Sequence, residues 1–236
     1  MLNITHLTLT RGTTTLLADF NLTVNSGEIV TVSGASGSGK STLLNWMIGD
    51  LDPAFGATGE LWLNERRLDG LPIEQRQLGL LFQDDLLFGH LSVGQNLAFA
   101  LPARFVGSRE RRRRIEQTLT DMGLEGFYER DPATLSGGQR ARVSLMRTLL
   151  AEPQALLLDE PFSKLDAALR SQFRAHVFEQ IARQRIPTLL VTHDPADVPP
   201  GGRVIEISDW GQQGVLAAPP GQCRPESPAK SAPGAK

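Results

Sequence analysis

The chain has 236 residues, 40% apolar and 21% charged, with 24 Lys+Arg against 26 Asp+Glu and a formal net charge of −2. That length suits one large domain or two small ones with ample core, and the near-neutral balance argues against a dedicated nucleic-acid binder, which carries a basic excess. The single cysteine, Cys223, excludes an intrachain disulfide framework, and no apolar run approaches the roughly 18 residues of a membrane helix.

The opening residues, Met1 to His6, lack the charged-then-apolar layout of a signal peptide, so a soluble protein of a reducing compartment is expected. Leu2, Ile4, Leu7 and Leu9, then Leu22 and Val24, alternate roughly with polar residues and predict half-buried antiparallel strands. Asn25-Ser26-Gly27 is a turn, and Glu28–Val32 reads as a buried strand. A glycine-rich loop at 34–39 leads into a helix from Ser41 to Ile48. Residues 84–150 change character: helices are predicted over 91–103, 109–122 and Gly137–Ala151, punctuated by Pro102 and Gly107. Residues 155–194 return to strand, helix, strand, and Arg203–Ser208 reads as a last strand. Alternating strands and helices imply an α/β fold with a parallel sheet, into which the helical middle is inserted. From Ala217 the chain is Ala, Pro, Gly, Ser and Lys with little to bury, so 1–216 is taken as the domain and 217–236 as a disordered tail.

Gly34-Ala35-Ser36-Gly37-Ser38-Gly39-Lys40-Ser41 matches G-x-x-x-x-G-K-[ST] in full, between a strand and a helix. Glycines let successive N–H groups turn inward, where they and the positive helix end hold phosphate oxygens. Lys40 adds a mobile charge, the Ser41 hydroxyl can ligate Mg²⁺, and Thr42 follows in the helix's first turn. Ala155–Leu158 then runs into Asp159 and Glu160, which a strand buried on both faces delivers to the sheet edge beside that loop. Asp159 would reach Mg²⁺, and Glu160 would orient and deprotonate an attacking water. Ser136, Gly137, Gly138 and Gln139 open a helix whose free N–H groups, hydroxyl and dipole suit a second anion.

With these three motifs the chain resembles the ATP-binding subunit of ABC transporters over about residues 1–208. The resemblance implies a P-loop NTPase core with a parallel sheet, an N-terminal antiparallel β subdomain and an inserted helical subdomain at about 84–150. It implies ATP and Mg²⁺ as cofactors, and a head-to-tail homodimer in which the 136–139 segment meets the γ-phosphate bound to the partner. Three further residues match in family order. Gln83 corresponds to the Q-loop, touching Mg²⁺ or water; Asp166 to the loop crossing the dimer interface; His193 to the switch histidine that contacts the γ-phosphate and holds Glu160 and water in line. Arg11 stands where the family stacks an aromatic on adenine, and a guanidinium plane can stack there too. Lys164 stands where small or polar residues are common.

Segments such as Gly59–Glu65, Ser92–Leu97 and Trp46–Gly49 resemble the YnjD-type subunits, a group similar to thiamine, molybdate, iron and polyamine importer ATPases. The resemblance therefore implies an importer ATPase on the cytoplasmic side of the inner membrane, working with membrane permease subunits and a periplasmic substrate-binding protein. Leu86, Leu87 and Phe88 would line the groove for a permease helix. An export or lipoprotein-release ATPase, or a soluble ABC-type ATPase of translation or DNA repair, is the alternative. Arg109 and Arg111–Arg114 step round a helix at roughly 100° each and read as a solvated face, with no nucleic-acid stripe.

Overall fold

The computed structural model describes residues 1–35, 37–82 and 84–210. The expectations placed on Ser36, Gln83, Cys223 and the tail from Ala217 lie outside the described residues.

Strands β1 (Leu2–Arg11) and β2 (Thr14–Val24) form an antiparallel hairpin. The alternation of buried leucines slips by one residue between Ile4 and Leu7, where His6 turns to φ +51° and its Nδ1 meets Asp19 Oδ1 at 2.6 Å. The bulge keeps Leu7 and Leu9 on the core side after the slip. Strand β3 (Ile29–Ser33) feeds the phosphate loop and helix α1 (Lys40–Ile48). Next come β4 (Phe55–Leu63), β5 (Arg66–Arg67), the one-turn helix α2 (Ile73–Arg76) and β6 (Leu78–Leu81). The helical middle holds α3 (Val93–Ala100), α4 (Ser108–Asp121) and α5 (Gly137–Leu150). Strand β7 (Ala155–Asp159), helix α6 (Ala167–Gln184), β8 (Thr188–Val191) and β9 (Arg203–Glu206) complete the order. The last strand ends two residues before the predicted Ser208. A 3₁₀ turn, Ile207–Trp210, replaces its end and sets Trp210 edge-on to Phe20, centroids 5.2 Å apart.

Two sheets result. The antiparallel sheet runs β2-β1-β4-β5, and the parallel one β6-β7-β8-β3-β9. Strand β4 carries Gly56 and Gly59, which blur its alternation and hide it from the sequence. Gly59 is required at φ +135°, because a Cβ there would lie 2.7 Å from Leu7 Cα on β1.

The parallel strands are apolar along their length because both faces are covered. Val30, Val32, Leu157, Leu189 and Val191 pack with α1 and the antiparallel sheet. Leu156, Leu158 and Leu190 point the other way, into a second core with α5, α6 and Phe162. Helix α1 is plugged at its C-terminus by the buried Arg76 guanidinium, whose Nη1 donates to the carbonyls of Trp46 at 2.9 Å and Met47 at 2.8 Å. No described helix is long and apolar enough to cross a membrane.

Candidate functional site

The loop between β3 and α1 curls because its glycines accept positive φ: Gly34 at +148°, Gly37 at +79° and Gly39 at +95°. Gly34 has no room for a side chain, since a Cβ would sit 2.6 Å from Ile207 Cγ2. The Lys40 ammonium lies inside the curl and donates to the carbonyls of Gly34 and Ala35, each at 2.7 Å, and to Ser38 Oγ at 3.3 Å. Thr42 is half-buried in the first turn of α1.

Strand β7 delivers its carboxylates beside this loop. Ser41 Oγ donates to Asp159 Oδ2 at 3.2 Å. Burial holds Asp159 above the usual carboxylate range and the Glu160 charge adds to the rise, against the Ser41 hydrogen bond and the Lys40 charge. The next residue, Glu160, sits at φ +46°. Its N–H donates to Val191 O at 2.9 Å, and its carbonyl accepts from Ser163 Oγ at 2.9 Å. That turn presents Glu160 Oε1 to His193 Nδ1 at 2.9 Å. His193 leaves β8 through a knot of charge. Thr192 Oγ1 donates to Asp197 Oδ2 at 3.1 Å, while Arg170 pairs with Asp194 and Asp197, and Arg174 with Asp197. Asp197 is only 2% exposed, so this knot anchors the histidine segment to α6. No sequence motif singles out Ser163 or the Arg170–Asp197 knot. The Ser163 contact is a local reach to a carbonyl three residues back, set by the turn at Glu160, whereas the knot joins residues 27 apart in the chain.

The 136–139 segment, expected from the sequence to suit an anion, is a second, separate constellation. Ser136 caps α5: its Oγ accepts from Gln139 N–H at 3.2 Å, and Gln139 Oε1 accepts from Ser136 N–H at 2.9 Å. Gly137 opens toward free space, whereas a Cβ on Gly138 would lie 3.2 Å from Lys164 O. Asp166 caps α6, accepting from Leu169 N–H at 3.0 Å. Among the described residues, no hydrogen bond or ion pair joins Ser136–Gln139 to the 34–42 loop. Arg11 ends β1 opposite Thr14 and Phe55, with its guanidinium carbon 5.6 Å from the Phe55 ring centroid.

The first constellation suits a triphosphate and a hard cation. A glycine cradle and an ammonium could receive phosphate oxygens, and two oxygen donors suited to a cation, Ser41 and Asp159, stand together. No group of three or more His, Cys, Asp or Glu that could cage a metal occurs among the described residues. Mg²⁺ is bound this way, through one or two protein oxygens and the substrate's phosphates. Burial that disfavours the ionised Asp159 also fits a carboxylate facing a cation. Glu160 and His193 add a hydrogen-bonded carboxylate–imidazole pair, an arrangement able to serve as a base with an orienting partner.

A family model described as "ABC transporter" matches residues 17–163. The chain is 54% identical over 212 residues to the ABC transporter ATP-binding protein YnjD of Escherichia coli (strain K12), spanning 90% of this chain and 97% of that protein. It is 39% identical over 216 residues to the sulfate/thiosulfate import ATP-binding protein CysA of Nephroselmis olivacea, spanning 92% of this chain and 62% of that protein. Among solved structures, the ATP-binding cassette MJ0796 in a dimeric post-hydrolysis state bound to ADP and Pi superposes with a TM-score of 0.73 at 28% identity, covering 84% of this chain and 90% of that one. A second dimeric structure of MJ0796, a bacterial ABC transporter cassette, superposes over the same shares with a TM-score of 0.72 at 28% identity.

Proposed function

The chain belongs to the ABC transporter family of ATP-binding, ATP-hydrolysing proteins, and from that premise we propose that it is the ATPase subunit of a bacterial importer, closing head to tail with a second copy to drive transport through separate membrane subunits. One observation carries the catalytic part: Glu160 Oε1 lies 2.9 Å from His193 Nδ1 at the strand end whose neighbour, Asp159, accepts from Ser41 of the phosphate loop.

The steps follow from these groups. Loop N–H groups from Gly34 to Lys40 and the Lys40 ammonium hold the β- and γ-phosphates, with Thr42 beside them. Ser41 and Asp159 would hold Mg²⁺, with Gln83 assigned to the ion from its sequence motif; the ion would neutralise charge on the phosphates. Glu160 accepts the proton of the water aligned with the γ-phosphorus, and His193 fixes that carboxylate and donates toward the γ-phosphate. The partner's copy of the 136–139 segment caps the same phosphate, and Asp166 lies at the shared interface. Arg11, backed by Phe55, stacks on the base. Little covalent work is asked of the protein; it positions water and neutralises spreading charge.

Import is supported by the likeness to a protein named for sulfate/thiosulfate import. A patch on the helical middle supports a membrane partner: Leu86 and Phe88 are exposed, and Phe99, 72% exposed, stands edge-on to Phe88. The periplasmic binding protein and the position at the cytoplasmic face of the membrane belong to this proposal. Co-purification with a binding protein and permease supports it, and partnership with a lipoprotein-release permease overturns the direction.

The test of the chemistry is Glu160→Gln. Losing the base should slow hydrolysis by about 10²–10⁴-fold while ATP binding persists. A variant that hydrolyses ATP at the parental rate sinks the assignment.

A further inference from the structure

We propose that Asp85 is a positioning residue whose negative charge ties the segment after Gln83 to both the 136–139 helix and the loop before Asp166, and thereby sets the rate of hydrolysis. The inference rests on the roles proposed above for those two segments. Each carboxylate oxygen of Asp85 faces one cation. Oδ2 accepts from Arg140 Nε at 3.4 Å, and Oδ1 lies 3.5 Å from Lys164 Nζ. Arg140 is in the first turn of α5 and holds its own entry loop by donating to Leu135 O at 2.7 Å. Lys164 belongs to the loop whose carbonyl lies close to Gly138, 3.2 Å from where a Cβ would sit. The Asp85 side chain is only 13% exposed, whereas its neighbour Asp84, 3.9 Å from Lys164, is 89% exposed.

Asp85 thus joins two cations on two separate elements, Arg140 of α5 and Lys164 of the loop before α6. Withdrawing its charge removes the link that joins Arg140 to Lys164, so the Lys164 loop is no longer held to α5. Gly138 and Asp166 then shift apart, although neither has changed. Glu160, Ser163, Asp85 and Lys164 line one small cleft, so the movement reaches the base as well. Asp85 also lies one residue before Leu86, whose carbonyl accepts from Arg147 Nη1 of α5 at 2.9 Å. A push on the apolar patch at 86–88 therefore moves the shared carboxylate.

The experiment compares full-length variants in steady-state ATP hydrolysis. Asn matches the shape of Asp without its charge, and Glu keeps the charge at a different length. Asp85→Asn should lower kcat about tenfold with KM for ATP within about twofold, because the phosphate loop is untouched. Asp85→Glu should stay within about threefold of the parent. Lys164→Met should also lower kcat and add little to Asp85→Asn, since both remove one interaction. A parental kcat for Asp85→Asn overturns the proposal. So does a Glu variant as slow as the Asn variant, which would mean fit and not charge. Independent multiplication in the double variant overturns it too. Should Asp85→Asn fail to fold, Asp85→Glu and Lys164→Met decide: a rate lost in the first, or kept in the second, overturns the idea. An undiminished rate for Glu160→Gln is a separate result, striking the site assignment and not the charge link.

Discussion

At Glu160 the chain leaves β7 in a left-handed turn that a side-chain-bearing residue adopts at a cost of about 1–3 kcal/mol. The surroundings hold it there: Val191 O takes its N–H, and Ser163 takes its carbonyl. The turn is what separates two adjacent carboxylates, leaving Asp159 with Ser41 and aiming Glu160 at His193. Asp159 also carries a cost. Burial raises its pKa, so the folded state holds that proton more tightly than the unfolded chain does. The sign follows from linkage. Stability contributed by this group falls as pH rises from the unfolded carboxylate value to the raised native one, and the deficit persists above it. Asp159→Asn should therefore raise Tm near neutral pH by about 2–4 °C in the absence of nucleotide and divalent cation. The gain should vanish as pH falls to the unfolded carboxylate range. Thermal melts across pH check this, and a gain independent of pH would contradict the burial argument.

Two helices begin with the same device. Ser92 and Gln95 cap α3 reciprocally, as Ser136 and Gln139 cap α5. Each cap satisfies two otherwise free N–H groups, so Ser92→Ala and Ser136→Ala should each cost about 1 kcal/mol. The two should part in activity: Ser92→Ala keeps the basal ATPase rate, while Ser136→Ala slows it, because only Ser136 is assigned a phosphate. Equal rates in both would reduce Ser136 to a cap. The arginine run on α4 is also decided at this scale. Arg111 donates to the carbonyls of Ala98, Pro102 and Phe105, closing the end of α3. Arg112 pairs with Glu116 and Glu129 and covers Tyr128, Arg113 pairs with Glu110, and Arg114 covers Phe105 beside Glu152. The run is the exposed face expected of it, Arg109 and Arg112–Arg114 being solvent-exposed, and Glu110 and Glu116 pair with it at helical spacing. Periodicity could not reveal the braces that Arg111, Arg112 and Arg114 add, because Ala98, Pro102, Phe105, Glu129 and Glu152 lie outside α4.

In the whole molecule, no hydrogen bond or ion pair among the described residues joins the phosphate loop to the capped start of α5. Under the proposed function these are two half-sites, and a second copy would supply the missing half to each. Glu160→Gln with ATP should therefore migrate at twice the monomer mass in size exclusion with light scattering, and return to monomer with ADP. A monomer in both conditions would contradict the shared site. Leu86, Phe88 and Phe99 lie on the same helical middle as Ser136, so in the proposed transporter a permease seated there would bear on that segment. Asp85 is the charge through which that pressure passes to Lys164 and Asp166.

The sequence by itself determined the chemistry-bearing runs. Gly34–Ser41, Leu156–Glu160 and Ser136–Gln139 were legible because phosphate binding, a doubly covered strand and a helix cap each demand particular residues at fixed short spacing. It determined the strand–helix order of the core for the same reason, since both periodicities are local. It did not disclose β4, whose glycines serve a close approach to Leu7 and break the alternation. Nor did it disclose the one-residue slip at His6, the plug made by Arg76, the hold of Ser163 on Glu160, or the knot of Arg170 and Asp197 behind His193. Only the tertiary structure decided these. The Ser163 contact is a short reach set by the left-handed turn at Glu160. The others depend on an approach between residues far apart in the chain, where burial lowers the local dielectric and makes partners for charges and carbonyls necessary.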